Sequence, residues 1–297
     1  RLGVEVYGVA GITPDEAKKA ADELGIPKWY TSFDEAIEDP EIKVVHLCTP
    51  NNLHYSQAKK ALQNGKHVLS EKPLAMNSQE SSELADLAKK SGLFAAVNYN
   101  LRFYPICQEA KARIIKGELG SPFLIHGGYL QDWLYLKTDW NWRLEPKEGG
   151  SLRVVADIGT HWMDLVTWLT GLKVTEVLAD FSTVHKTRLK PAGEVETYAG
   201  KVSENNSSNE VEIKTEDIAV ILFRFNNGAL GNVTLSQVTA GRKNFLWFEI
   251  SGSKTAMHWE QENPNELWIG HRDQPNQLLS KDPSLFDASV RPLTGFP

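Results

Sequence analysis

The chain has 297 residues, a formal net charge of −6 and 41% apolar residues, an ordinary globular composition with room for two domains and a sizeable core. The acidic balance, with no basic run, argues against nucleic acid and anionic membrane as partners, and no apolar stretch approaches the roughly 20 residues of a bilayer span. Cys48 and Cys107 stand far apart without metal or redox spacing, so no metal site is expected and a reducing, cytoplasmic setting is.

Residues 4–10 read as a buried strand. Thr13-Pro-Asp-Glu16 then opens a helix: Thr13 caps it, Pro14 suits the first turn and Glu16 completes a capping box, with Gly25 as the stop. Residues 43–48 form the next strand, followed by Thr49-Pro-Asn-Asn-Leu-His54 and a helix to Gly65. The short strand His67-Val-Leu-Ser70 closes on Glu71-Lys72-Pro73. A helix from Asn77, boxed by Glu80, runs to Gly92, and residues 93–97 are another strand. Alternating strands and helices predict a parallel, doubly wound α/β sheet. Past about Gly120 the pattern changes. A long strand over 122–133, a helix over 160–170 and alternating strands near 174–184, 217–225, 229–239, 245–251 and 254–259 predict an α+β domain around one large, mostly antiparallel open sheet. Asn226-Asn227-Gly228 is a hairpin turn. The expected domains are therefore 1–120 and 121–297, with polar residues 186–216 as a mobile hairpin tip.

Lys72 lies just past a strand's carboxyl end, on the rim where α/β sheets bind ligands. Asp157-Ile-Gly-Thr-His161 opens a helix, and its Asp and His, four apart, can share one face. A Lys, a carboxylate and an imidazole suit proton removal from an alcohol while a cofactor takes the hydride. The Lys72 ammonium can stabilise a developing alkoxide. An imidazole, with an unperturbed pKa of roughly 6.5, suits His161 to proton exchange near neutrality. Plainer readings stand beside these: a surface ion pair of Lys72 with Glu71, or Asp157 as a helix N-cap with an incidental His161. Asp164, on the same helix face, reads as structural support.

Taken together, the segments at 49–54, 65–73 and 157–161 resemble the Gfo/Idh/MocA oxidoreductases in order, spacing and two-domain layout, over essentially the whole chain. The resemblance implies a Rossmann-type dinucleotide-binding domain. It also implies hydride transfer between NAD(P) and a secondary alcohol of a sugar, cyclic polyol or related small molecule. Cofactor contact is implied at Thr49, Pro50, Asn51, His54, Glu71, Lys72 and Asn98. Arg102 either binds cofactor or substrate or braces the interdomain joint. Trp142 and Arg143 are implied on the substrate side with Lys72, Asp157 and His161, where tryptophan walls such as Trp133, Trp140 and Trp168 suit sugar and nicotinamide rings, although core packing is the commoner role of Trp.

The family's first strand and Gly-rich pyrophosphate turn have no counterpart before Val4; with Arg1 in place of Met at the start and residues 292–297 reading as a loop that leads onward, both ends of the chain are expected to be cut. Gly11, Ile12 and Thr13 hold the place that reads the ribose 2′ position. With neither an acid nor an Arg there, NAD or NADP is open, with a lean to NAD. Two other functions remain in view: a redox-neutral glycoside-cleaving enzyme with bound NAD, and a non-enzymatic dinucleotide or sugar sensor. A homodimer or homotetramer through the second-domain sheet is expected, with residues 236–240 and 246–250 as candidate surface.

Overall fold

The computed structural model describes residues 3–192 and 208–294, and their packing divides the chain into two compact units between Asn98 and Tyr99. The first unit runs β1 (Gly8–Ala10), α1 (Pro14–Leu24), β2 (Lys28–Tyr30), α2 (Phe33–Glu38), β3 (Val44–Leu47), α3 (Asn51–Gln63), β4 (His67–Ser70), α4 (Ser78–Ser91) and β5 (Ala95–Val97). β1 and β2 pair in parallel, and β3, β4 and β5 form a parallel sheet in that order, as helical crossovers require. The capping box at Thr13 forms as expected: Thr13 Oγ1 accepts from the Glu16 N–H at 3.2 Å, and Glu16 Oε2 accepts from the Thr13 N–H at 3.3 Å. Ile37, Leu47, Ala58, Leu62, Val68 and Leu84 make the core between β3, β4 and the helices. The strand expected over 4–10 is confined to β1. β2 and α2 were not expected from the sequence, because Lys28-Trp-Tyr30 turns only Tyr30 inward and shows no alternation.

The second unit contains α5 (Pro105–Ile115), β6 (Pro122–Leu130), α6 (Pro146–Gly149), α7 (Thr160–Thr170), β7 (Val174–Ser182), β8 (Thr187–Pro191), β9 (Ser208–Glu212), β10 (Ile218–Phe225), β11 (Leu230–Ser236), β12 (Phe245–Gly252), β13 (Ala256–Glu260), β14 (Glu266–Gly270) and β15 (Gln277–Ser280). Eight strands form one sheet in the order β15-β14-β13-β12-β6-β11-β10-β7. All neighbours are antiparallel except β6 and β11, which pair in parallel. β8 and β9 pair as a separate antiparallel hairpin, and residues 193–207, the centre of the expected polar tip, lie outside the described residues. The division falls before α5 rather than near Gly120, because Ile106, Cys107 and Ala110 of α5 are buried in the second unit's core.

That core lies on one face of the sheet, where Ile125, Ile221, Phe223, Val233, Leu235, Phe248, Ile250 and Trp259 meet α5 and α7. Gly127 lets α7 sit this close. A Cβ there would fall 2.2 Å from the Trp247 carbonyl oxygen and 2.4 Å from Trp162 Nε1, where Trp162 Nε1 donates to that same carbonyl at 2.9 Å. The opposite face presents Leu178, Val220 and Leu222, exposed by 67, 45 and 50%. The surface expected over 236–240 and 246–250 is corrected: Ser236, Gln237, Leu246, Phe248 and Ile250 are buried. Strand alternation turns only Trp247 and Glu249 of the second segment outward, and Ser236 and Gln237 close the inner end of β11.

Candidate active site

In the first unit the rim is built by strand ends in register. The Glu71 N–H donates to the Leu47 carbonyl and the Asn98 N–H to the Ser70 carbonyl, both at 2.8 Å, so the ladder extends one residue beyond each strand. Asn98 Nδ2 donates to Glu71 Oε1 at 2.6 Å, with His46 Nε2 at 3.9 Å from the same oxygen. Glu71 and Asn98 are thus locked together beside Lys72, whose bond to Pro73 is cis. His54 is buried, with Nε2 2.7 Å from the Thr49 carbonyl and Nδ1 2.7 Å from the Pro73 carbonyl. Its ring nitrogens therefore tie the loop after β3 to the loop after β4. Thr49 Oγ1 donates to Gln57 Oε1 at 2.7 Å. Pro50 gives α3 no side-chain cap, and an uncapped N-terminus of a thirteen-residue helix suits phosphate or ribose oxygens. At Gly11, Ile12 and Thr13 the chain turns tightly into α1. Glu16 takes the Ile12 N–H at 3.2 Å, and a Cβ on Gly11 would stand 2.9 Å from the Ala17 nitrogen.

In the second unit the helix carrying Asp157 and His161 begins with a π-helical turn over Val155–Gly159 and continues as α7. Such wide turns often occur at functional sites. Its start is capped from another element: Glu216 Oε1 accepts from the backbone N–H of Arg153 at 2.9 Å and of Val155 at 3.1 Å. Asp157 is therefore not the cap. Its Oδ1 accepts from Arg143 Nε at 3.1 Å and its Oδ2 from Gln237 Nε2 at 2.8 Å. Arg143 also donates to Asn141 Oδ1 at 3.2 Å and lies 4.4 Å from the centre of the Trp142 ring. His161 is met edge-on by Tyr99 and Tyr129, at centroid distances of 5.7 and 6.3 Å. Burial pushes the Tyr99 phenol up, so it stays a neutral wall. Tyr129 is fixed by donating to Asn244 Oδ1 at 2.6 Å. Gly159 passes Leu235 so closely that a Cβ would lie 2.6 Å from its Cδ1, which explains the glycine inside the Asp-to-His motif. Arg102 donates to the Asp164 carboxylate, with Nε to Oδ2 at 2.6 Å, and its guanidinium lies 5.8 Å from the Trp168 ring centre. Asp164 is thus a brace for Arg102.

Behind Asp157 lies a buried ionic network. Arg153 and Arg188 both reach Asp217 Oδ1, Arg188 at 2.8 Å, while Asp217 Oδ2 accepts from the Val184 N–H at 2.7 Å. Burial alone would raise the Asp217 carboxyl, but the two guanidinium groups outweigh it and hold the carboxyl below the usual range. Arg153 Nη1 donates to Gln237 Oε1 at 3.1 Å.

Two family models match this chain: an oxidoreductase family with an NAD-binding Rossmann fold over residues 1–99, and the Gfo/Idh/MocA C-terminal domain over residues 107–258. The chain belongs to the Gfo/Idh/MocA oxidoreductase family. Among Gfo/Idh/MocA relatives, levoglucosan dehydrogenase of Pseudarthrobacter phenanthrenivorans is 31% identical over 262 residues, 88% of this chain and 66% of that protein. The scyllo-inositol 2-dehydrogenase (NAD(+)) of Bacillus subtilis is 27% identical over 286 residues, 96% of this chain and 72% of that protein. Among solved Gfo/Idh/MocA structures, levoglucosan dehydrogenase in its apo form has a TM-score of 0.87 at 29% identity, covering 94% of this chain and 72% of that one. Its complex with NADH and L-sorbose has a TM-score of 0.85 at 29% identity, with the same coverages. The Rossmann-type first unit and the large second sheet are thus those of the Gfo/Idh/MocA fold.

Of the residues singled out from sequence, the first unit groups Thr49, His54, Glu71, Lys72 and Asn98 along one rim, and the second groups Arg143, Asp157 and His161. Gln237, Arg153, Glu216, Tyr99 and Tyr129 were not singled out from the sequence. Two acids, Glu216 and Asp217, immediately before the apolar run of β10 were the available signal, since charges entering a core strand must find partners.

Proposed function

We propose that this protein is an NAD-dependent dehydrogenase that oxidises a secondary alcohol of a sugar or cyclic polyol to the ketone, or reduces that ketone in the reverse direction. The observation that carries the reading is the held Asp157 carboxylate on the same helical start as His161, in a Gfo/Idh/MocA chain whose relatives include sugar and inositol dehydrogenases. Thr49, Pro50, Asn51, Glu71, Lys72 and Asn98 would hold the dinucleotide, and the strand-end register and the uncapped α3 fit its ribose and phosphate oxygens. When bound, the nicotinamide supplies a hydride acceptor or donor. The chain's own residues do the rest. The Lys72 ammonium hydrogen-bonds the reacting oxygen and stabilises its developing charge. His161 takes the hydroxyl proton, or returns it in the reverse direction. Asp157 accepts a hydrogen bond from a substrate hydroxyl. Arg143 and Trp142 offer a cation and a flat ring on the substrate side. NAD is favoured over NADP because no Arg stands at residues 11–13 to meet a 2′-phosphate.

The exposed apolar face of the second unit's sheet is proposed to be covered by another copy of this chain, because an uncovered patch of this kind is a liability in a monomer. A cytoplasmic setting is proposed with it. The test is titration of the full-length protein with NAD and NADP by nicotinamide fluorescence, then a panel of sugars and inositols read at 340 nm. NAD binding with turnover on a polyol supports the proposal. Activity on a glycoside without net NADH would replace it with redox-neutral cleavage, and binding without turnover on any substrate would replace it with a sensor.

A further inference from the structure

Gln237 is completely buried, and its two ends face partners of opposite chemistry. Its Oε1 accepts from Arg153 Nη1 at 3.1 Å, and its Nε2 donates to Asp157 Oδ2 at 2.8 Å. An amide's two ends are often interchangeable, but not here: a guanidinium has no acceptor and a carboxylate has no donor. Arg153 is itself immobilised. Its Nε reaches Thr215 Oγ1 at 3.2 Å, its Nη2 pairs with Asp217, and its backbone N–H is taken by Glu216 at 2.9 Å. Two buried cations, Arg153 and Arg188, thus stand with two buried acids, Glu216 and Asp217, and the amide passes this fixed polarity to Asp157 without placing a third charge.

We propose that Gln237 is a positioning residue for Asp157: with its amide direction set by Arg153, it donates to Asp157 Oδ2 while Arg143 donates to Oδ1, keeping the carboxylate ionised and acceptor-only at the substrate. Asp157 then has no proton to give and, with both oxygens accepting from Arg143 and Gln237, is a weak base, which leaves proton exchange with the alcohol to His161. The charged and titratable groups involved are Arg143 from the loop before α6, Arg153 at the helix start, and His161 one turn on. This inference rests on the reading of Asp157 and His161 as substrate-side residues.

The test uses Gln237→Glu, which keeps shape and still accepts from Arg153 but cannot donate to an ionised Asp157, and Gln237→Leu, which does neither. Two readouts are taken on the full chain. The first is the carbon-13 carboxyl titration of Asp157, assigned with Asp157→Asn and needing no substrate. The second is the pH profile of kcat/KM on whichever polyol is turned over. The expected result is an Asp157 titration at higher pH in both variants, by about one unit or more in Gln237→Glu where two carboxylates meet. The acid limb of kcat/KM should move with it, and NADH binding should stay as in wild type. A shifted titration without turnover in any wild-type assay leaves the positioning intact and removes the dehydrogenase reading. Turnover with an unmoved titration and an unmoved acid limb overturns the positioning and leaves the dehydrogenase reading standing. Loss of cooperative unfolding in both variants also overturns it, because Gln237 would then serve the core rather than Asp157.

Discussion

Lys72 and His54 differ in how their loss should show. In the proposed mechanism, replacing Lys72 with Ala removes one hydrogen-bond donor from the reacting oxygen. The expected loss is about 10²–10³ in kcat, with NADH binding by fluorescence nearly unchanged; full turnover in the variant would remove Lys72 from the mechanism. His54 is a strut, with both ring nitrogens against carbonyls of the two rim loops. Lys72, Asp157 and His161 stood out in the sequence as candidates because short local spacings announce them: a strand end, then an Asp and a His four apart. Gln237 was not. Its partners lie 80 and 84 residues away in sequence, and in the string Ser236-Gln-Val-Thr-Ala240 it looks like the solvent side of an alternating strand. Only the fold shows that β11 ends against the helix start.

Two glycines separate tight packing from tight positioning at the level of elements. Gly127 lies under α7 with a backbone oxygen 2.2 Å from its missing Cβ. Gly127→Ala must move β12 or Trp162, at a cost of about 1–3 kcal/mol or more, and calorimetry should show the melting temperature fall by several degrees. Gly159 meets a side-chain end, Leu235 Cδ1 at 2.6 Å, rather than a backbone atom, so an alanine there pushes the turn off Leu235 and leaves the strand pairing in place. Gly159→Ala should therefore lower kcat more than stability, since it displaces the turn between Asp157 and His161; equal stability losses in the two variants would contradict this contrast. The network that joins the helix start to β10 also carries a pH signature. Asp217 titrates lower in the folded state than its unfolded value near 4. Its stabilisation is thus fully present above that value and is lost as pH falls through the folded one. Asp217→Asn leaves two buried guanidinium groups without their acid and should cost about 3–5 kcal/mol at pH 7. Denaturant melts at pH 7 and pH 3.5 should then show a smaller acid loss in the variant than in wild type. Most elements were readable from caps and turns, as Asn226-Asn227-Gly228 shows with Gly228 at φ 86°. β2 and β15 were not, because β2 turns only Tyr30 inward and three of the four residues of β15 are exposed; β14 was missed although it alternates as β13 does.

Across the whole molecule, the sheet face carrying Leu178, Val220 and Leu222 is the feature with the clearest consequence in solution. Leu222→Glu places a charge at its centre on a strand whose other side already holds the core. The full-length wild type should show an oligomeric mass by light scattering at micromolar concentration, and the variant a smaller one with the same circular dichroism. A monomeric wild type would end the proposal of a covered face. The two-unit division was legible from the change in strand rhythm, but its position was not. No element was read from the sequence between residue 97 and Gly120, and the packing of α5 assigns that stretch to the second unit.

The single parallel contact in the large sheet sets an order of events. β6 has β11 on one side and β12 on the other, and both are encoded about a hundred residues downstream. On a ribosome adding roughly 5–20 residues per second, β6 emerges many seconds before either neighbour exists. The central strand of this sheet is therefore the one that waits longest, and in nascent chains stalled before residue 230 it should be cut readily by protease. Protection should arrive only when the last hairpins are released, so the second unit closes from its late-made strands back onto its earliest one.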